Sequence, residues 1–125
     1  MSVQDLLEIY AKSPQVGALA RLLADSSVKT VFLDGLVGSA APLVFGALVS
    51  RRPSLKAVFI LQDEEEAGYF YHDLVQLLGD RQVLFFPGSY RRAVKYGQRD
   101  AANEILRTEV LARLNEELGT KNEEL

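Results

Sequence analysis

The sequence predicts an α/β domain in three layers, a mainly parallel sheet covered on both faces by helices, with a degenerate phosphate loop. Three observations predict it. Short apolar runs at 28–33, 55–61 and 82–86 alternate with longer stretches of helical periodicity. These runs are apolar on both faces, the pattern of strands buried between helices in a parallel sheet. Gly35-x-x-Gly38-Ser39 lies between the first run and the next helix, where a phosphate-binding loop would lie. The predicted order is α-α-β-α-β-α-β-α, joined by right-handed crossovers.

Each element has its own signal. Ser2 is placed to cap a first helix, with Asp5 completing an acidic variant of the capping box. Leu6, Leu7, Ile9 and Tyr10 give that helix an apolar side. Ser13 and Pro14 restart the chain as N-cap and first helical residue, and Val16, Leu19, Leu22 and Leu23 follow at helical spacing. Asp25-Ser26-Ser27 breaks this helix ahead of the first apolar run. Ala40 to about Val49 reads as a nearly all-apolar helix ended by Arg51-Arg52-Pro53, with Pro42 tolerated in its first turn. After the second run, Asp63 caps a helix with Glu66 at the box position, and Glu64 and Glu65 suit its positive end. That helix stops at Gly79-Asp80. The third run leads into a polar, aromatic and basic loop at 87–98. A last helix from Asp100 to Leu118 is apolar at Ile105, Leu106, Val110, Leu111, Leu114 and Leu118. Residues 1–118 thus read as a single domain, and 119–125 as a polar tail or linker expected to fray.

Composition narrows the function. A chain of 125 residues buries roughly two thirds of its unfolded surface, enough for a core without staples. With 48% hydrophobic and 25% charged residues the composition is that of a globular protein, not a disordered one. There is no cysteine, which excludes disulfides and thiolate metal sites, and the single His72 argues against a histidine metal centre. A net charge of −3 does not recruit nucleic acid, so any such contact needs a local basic patch. The N-terminus lacks a signal-peptide layout, and the longest uncharged stretch is too short to span a membrane, so a cytoplasmic protein is expected.

The glycine turn invites nucleotide chemistry and lacks the residues for it. A phosphate loop follows G-x-x-x-x-G-K-[ST]. With its first glycine on Gly35, the second falls on Ala40, the lysine on Ala41 and the hydroxyl residue on Pro42. Ala41 brings no charge to the β- and γ-phosphates. Pro42 has neither a hydroxyl for Mg²⁺ nor a backbone N–H for the cradle. A charged hydrogen bond contributes about 1.5–3 kcal/mol, so losing the lysine alone costs roughly one to two decades of affinity. The expectation is a loop at Gly35, Gly38, Ser39, Ala40, Ala41 and Pro42 with no bound cofactor, no metal and no catalytic residue. A tight turn before a buried helix is the competing reading.

Other candidates are weaker. Gln62-Asp63-Glu64-Glu65-Glu66 imitates a magnesium-binding acidic motif but reads as helix capping. Gln15 sits where helicase-type ATPases often read adenine, and reads here as a solvent-facing helix residue. His72 has no nucleophile to pair with. Tyr90, Arg91, Arg92, Lys95, Tyr96 and Arg99 form the basic-aromatic cluster of the chain. They suit a solvated loop, a protein-docking surface or nucleic-acid stacking and phosphate contact.

The chain resembles the N-terminal region of bacterial transcription-repair coupling factors (Mfd), itself similar to the first domain of the excision-repair protein UvrB. The resemblance rests on Leu33-x-Gly35-Leu36-x-Gly38-Ser39-Ala40, on the stretch from Ala57 to Leu78 with Ala67 and Leu74, on Phe85-Phe86-Pro87, and on the helix from Glu104-Ile105-Leu106 to Leu114. It covers Pro14 to Leu118, and the order of the motifs carries it more than any single one. It implies a RecA- and UvrB-like domain whose ATP site has decayed. It also implies a scaffold that serves transcription-coupled nucleotide-excision repair. In that family the full-length protein recruits UvrA to stalled RNA polymerase. Its separate, helicase-like motor hydrolyses ATP with Mg²⁺ to translocate on DNA, and the N-terminal module is clamped against other domains until the motor engages. After Phe-Pro the family shows an acidic-aromatic stretch, whereas this chain has Gly88-Ser89-Tyr90-Arg91-Arg92. The inserted domain that carries most UvrA contacts is absent from these residues, so a fragment is expected, with an open sheet edge inviting self-association. The alternatives are a nucleotide-binding domain with an unusual loop, or a nucleic-acid module built on residues 90–99.

Overall fold

The computed structural model of the protein describes residues 1–88 and 101–123. The described residues form five helices: α1 Val3–Ala11, α2 Pro14–Ala24, α3 Ala40–Arg51, α4 Glu64–Leu78 and α5 Ala101–Glu123. They contain no strand and no sheet. The chain divides into two units, Met1–Gln82 with the first four helices and Val83–Leu125 with the last.

Local chemistry sets the ends of the helices. At α1 the Ser2 hydroxyl accepts the Asp5 N–H at 3.1 Å and the Asp5 carboxylate accepts the Ser2 N–H at 2.8 Å, a reciprocal capping box. At α2 Pro14 opens the helix, but Ser13 makes no capping bond; its hydroxyl donates to Gln15 Oε1 at 2.6 Å instead. At α4 the Asp63 carboxylate accepts the Glu66 N–H at 2.8 Å. Gly79 ends α4 at φ +87°, in the left-handed region that favours glycine, and its N–H bonds the Val75 carbonyl at 2.8 Å.

In the first unit α3 is the central element and packs against α1, α2 and α4. Its sequence explains this. Ala47 and Leu48 are buried to 0% and 1% exposure, and Gly46 lets the neighbours come close. A Cβ on Gly46 would stand 3.2 Å from both Leu7 Cδ1 and Leu77 Cδ1. The core joins Leu7 of α1, Val16 of α2, Ala47 of α3 and Leu77 of α4, with Tyr10, Leu43 and Val44 packed around them. Burying each such leucine contributes roughly 1.5–3 kcal/mol. At its far end α3 supplies Arg51, whose Nη1 donates to the Ala11 carbonyl at 2.9 Å and so caps the negative end of α1.

The predicted parallel sheet, and with it the three-layer α/β architecture, is overturned. The helices predicted around it are present, but the runs 28–33, 55–61 and 82–86 form no strands. A sheet covered on both faces would bury both sides of each run. Instead Phe32, Val58 and Ile60 are 87%, 89% and 92% exposed. Phe59 alone of its neighbours makes aromatic contacts inward, 5.0 Å from the Phe45 ring and 5.0 Å from the Phe70 ring. Short apolar runs suit a buried strand or any other buried segment, and only non-local backbone pairing makes them a sheet. Here the helices bury their apolar sides on one another.

In the second unit α5 continues past Leu118 to Glu123. The Arg107 guanidinium lies 4.3 Å from the Phe86 ring centre, and its Nη1 donates to the Pro87 carbonyl at 2.8 Å. Leu111, Leu114 and Leu118 recur at helical spacing and are each more than half exposed. No helix among the described residues is long and apolar enough to cross a membrane.

Candidate functional site

The glycine turn leads directly into α3. Gly35 has φ +82° and Gly38 φ +59°, and neither would meet another atom within 4 Å if it carried a Cβ. Backbone conformation, not space, is what these glycines supply. The Gly35 N–H is taken by the Asp34 carboxylate at 2.9 Å, and the Ala40 N–H by the Val37 carbonyl at 3.1 Å. The loop's amides are therefore partly spent within the turn.

Ser39 is the N-cap of α3, yet its side chain makes no bond to its own helix. Its hydroxyl donates instead to Asp73 Oδ2 of α4 at 2.8 Å. Helix N-termini attract negative charge, and here the chain's own carboxylate supplies it. A cleft of about 530 Å³ opens at this point, lined by Gly38, Ser39, Ala41 and Pro42 from the turn and by Glu66, Tyr69, Phe70 and Asp73 from α4. The Glu66 carboxylate accepts the Gln62 N–H at 3.3 Å. The cleft thus holds two carboxylates and no cation along its lining. A phosphate entering it meets like charge at Asp73 and Glu66, finds no lysine at Ala41, and finds no N–H at the buried Pro42.

The structure brings Gly38, Ser39, Ala41 and Pro42 together in this cleft. Gly35 and Ala40 belong to the same turn and helix start. The acidic run is helix capping: Asp63 and Glu66 spend their carboxylates on backbone N–H groups. Among the described residues no group of three or more His, Asp or Glu could hold a metal ion. Gln15 is exposed and accepts the Ser13 hydroxyl. His72 is exposed on α4. Tyr90, Arg91, Arg92, Lys95, Tyr96 and Arg99 lie outside the described residues.

Asp73 was missing from the sequence reading of the site. It is separated from Ser39 by 34 positions, and no local pattern links the two. Two carboxylates elsewhere are more acidic than usual because local hydrogen bonds hold them, Asp5 in a helix cap and Asp25 in the turn after α2. The Ser2 backbone N–H, then its hydroxyl, hold Asp5 low; the Ser27 hydroxyl, then its backbone N–H, hold Asp25 low.

No family model matches the chain, and no curated protein or solved structure matches it.

Proposed function

We propose that the chain is a non-catalytic interaction domain, the N-terminal scaffold module of a transcription-repair coupling factor in transcription-coupled nucleotide-excision repair. It works in the cytoplasm through contact with UvrA, RNA polymerase and the other domains of its own protein. ATP, Mg²⁺ and DNA translocation belong to a separate motor. The order of the matching residues from Leu33 to Leu114 supports the family half of this reading; a shared fold does not enter it. The hydrogen bond from Ser39 to Asp73 supports the non-catalytic half, because it sets a carboxylate where a phosphate would have to lie.

The observation that carries the interaction half is the exposure of Phe32, Val58 and Ile60 at 87%, 89% and 92%. Covering each of these side chains on a partner is worth roughly 1.5–3 kcal/mol. Val58 and Ile60 stand two positions apart, on either side of the inward Phe59. Changing both to serine in the full-length protein tests the assignment. The expected result is an unfolding midpoint within a few degrees of the native value and at least a tenfold loss of affinity for UvrA or for the polymerase, measured by calorimetry. Unchanged affinity for both partners overturns the assignment.

A further inference from the structure

We propose that Arg21 and Arg51, facing one another across Gly17, form a binding site for a phosphate group. The position of the two guanidinium groups is given by what a side chain on Gly17 would meet. A Cβ there would stand 3.4 Å from Arg51 Nη1, 4.0 Å from Arg51 Nη2 and 3.8 Å from Arg21 Nη1. The two Nη1 atoms therefore lie within about 7 Å of one another, inside the Debye length of about 8 Å at physiological ionic strength. Both side chains are exposed, so water weakens their mutual repulsion, and an anion between them relieves what remains. The spacing lets one phosphate offer a different oxygen to each group.

Among the described residues the partner of the pair is a carbonyl, that of Ala11 at the negative end of α1, bound by Arg51. Arg51 spends one Nη1 donor on the Ala11 carbonyl, and a guanidinium has five donors in all. Neither Arg21 nor Arg51 pairs with a carboxylate among the described residues. Asp25, four positions after Arg21, gives its carboxylate to the Ser27 N–H and hydroxyl at 2.9 and 2.6 Å. Two further cations lie close by in sequence. Lys12 is the C-cap of α1 beside Ala11. Arg52, next to Arg51, has a buried Nη1 with no hydrogen-bond partner. The first turn of α2 lacks a side-chain cap, so its positive end adds to the same stretch of chain. This is a local reversal of sign on a chain whose net charge is −3.

Gly17 matters because it is buried and, lacking a side chain, lets both guanidinium groups approach the same point on α2. The ligand is a phosphate, either free or in a nucleic-acid backbone. The site is distant in sequence from the glycine turn and independent of the function proposed above.

The test follows the Gly17 amide and the arginine Nε–H signals of the whole chain by NMR during titration with inorganic phosphate at fixed ionic strength. Saturable shifts at Gly17, Arg21 and Arg51 are expected. Arg21→Gln, a change at an exposed position, is expected to weaken binding at least tenfold with the unfolding midpoint unmoved. Gly17→Ala sets a methyl group between the guanidinium groups and is expected to weaken it too. Equal shifts with sodium chloride, or native affinity in Arg21→Gln, overturn the proposal. A second arm identifies the source. A short DNA duplex binding at least tenfold more tightly than inorganic phosphate, and losing that affinity in Arg21→Gln, places the phosphate in a nucleic-acid backbone. No gain with the duplex, alongside the inorganic-phosphate response, assigns the site to a free anion.

Discussion

Asp5 and Asp25 owe their acidity to hydrogen bonds that exist only in the folded chain. In both the folded value is depressed, so their contribution to stability is fully present above the unfolded aspartate value of about 3.9. It is lost as pH falls through the lowered folded value. Side-chain NMR titration is expected to give midpoints below the ordinary aspartate range for both residues, and Ser2→Ala should return Asp5 toward that range while leaving Asp25 alone. Both carboxylates bond partners only three or two positions away, and the Asp5 cap was legible in the sequence for that reason. Asp73 was not. Its partner Ser39 lies one helix away, and only folding brings them to 2.8 Å. The guanidinium pair across Gly17 was hidden in the same way, since Arg51 arrives from the far end of α3.

At the scale of elements the helices were legible, whereas the strands that the sequence predicts are absent among the described residues. Ser2 with Asp5, Ser13 with Pro14, Asp63 with Glu66, and Gly79 mark the ends of α1, α2 and α4 within a few residues, because caps are local. The runs 28–33 and 55–61 carry the right residue types for strands, but hydrogen-bonded pairing is a property of two segments together. In the structure Phe59 turns inward to Phe45 and Phe70, while Val58 and Ile60 turn out. The element that organises the first unit is α3, and its energetics can be checked. Leu48 is 1% exposed, so Leu48→Ala is expected to cost about 2–5 kcal/mol through lost burial and the cavity left behind. Chemical denaturation followed by far-UV circular dichroism measures it. A loss below about 0.5 kcal/mol, the level of a surface change, would contradict the central place given to α3.

At the scale of the molecule, the helices of the first unit bury a core while large apolar side chains remain outside it. Phe32, Val58 and Ile60 in the first unit, and Leu111, Leu114 and Leu118 on α5, are surfaces that a binding partner or a neighbouring domain can cover. The cleft at the start of α3 contrasts with them. It is lined by Glu66 and Asp73 and has no cation along its lining. The exposed apolar side chains are what the proposed contact role rests on. The Gly35–Gly38 turn, where the sequence suggested a phosphate loop, acts as the joint that feeds the chain into α3. Titration of the whole chain with Mg-ATP, following the backbone amides of Gly35, Gly38, Ser39, Ala40 and Ala41, tests this most directly. No saturable shift is expected at these amides up to millimolar nucleotide. Saturable micromolar binding there, with the Ser39–Asp73 hydrogen bond broken, would contradict it.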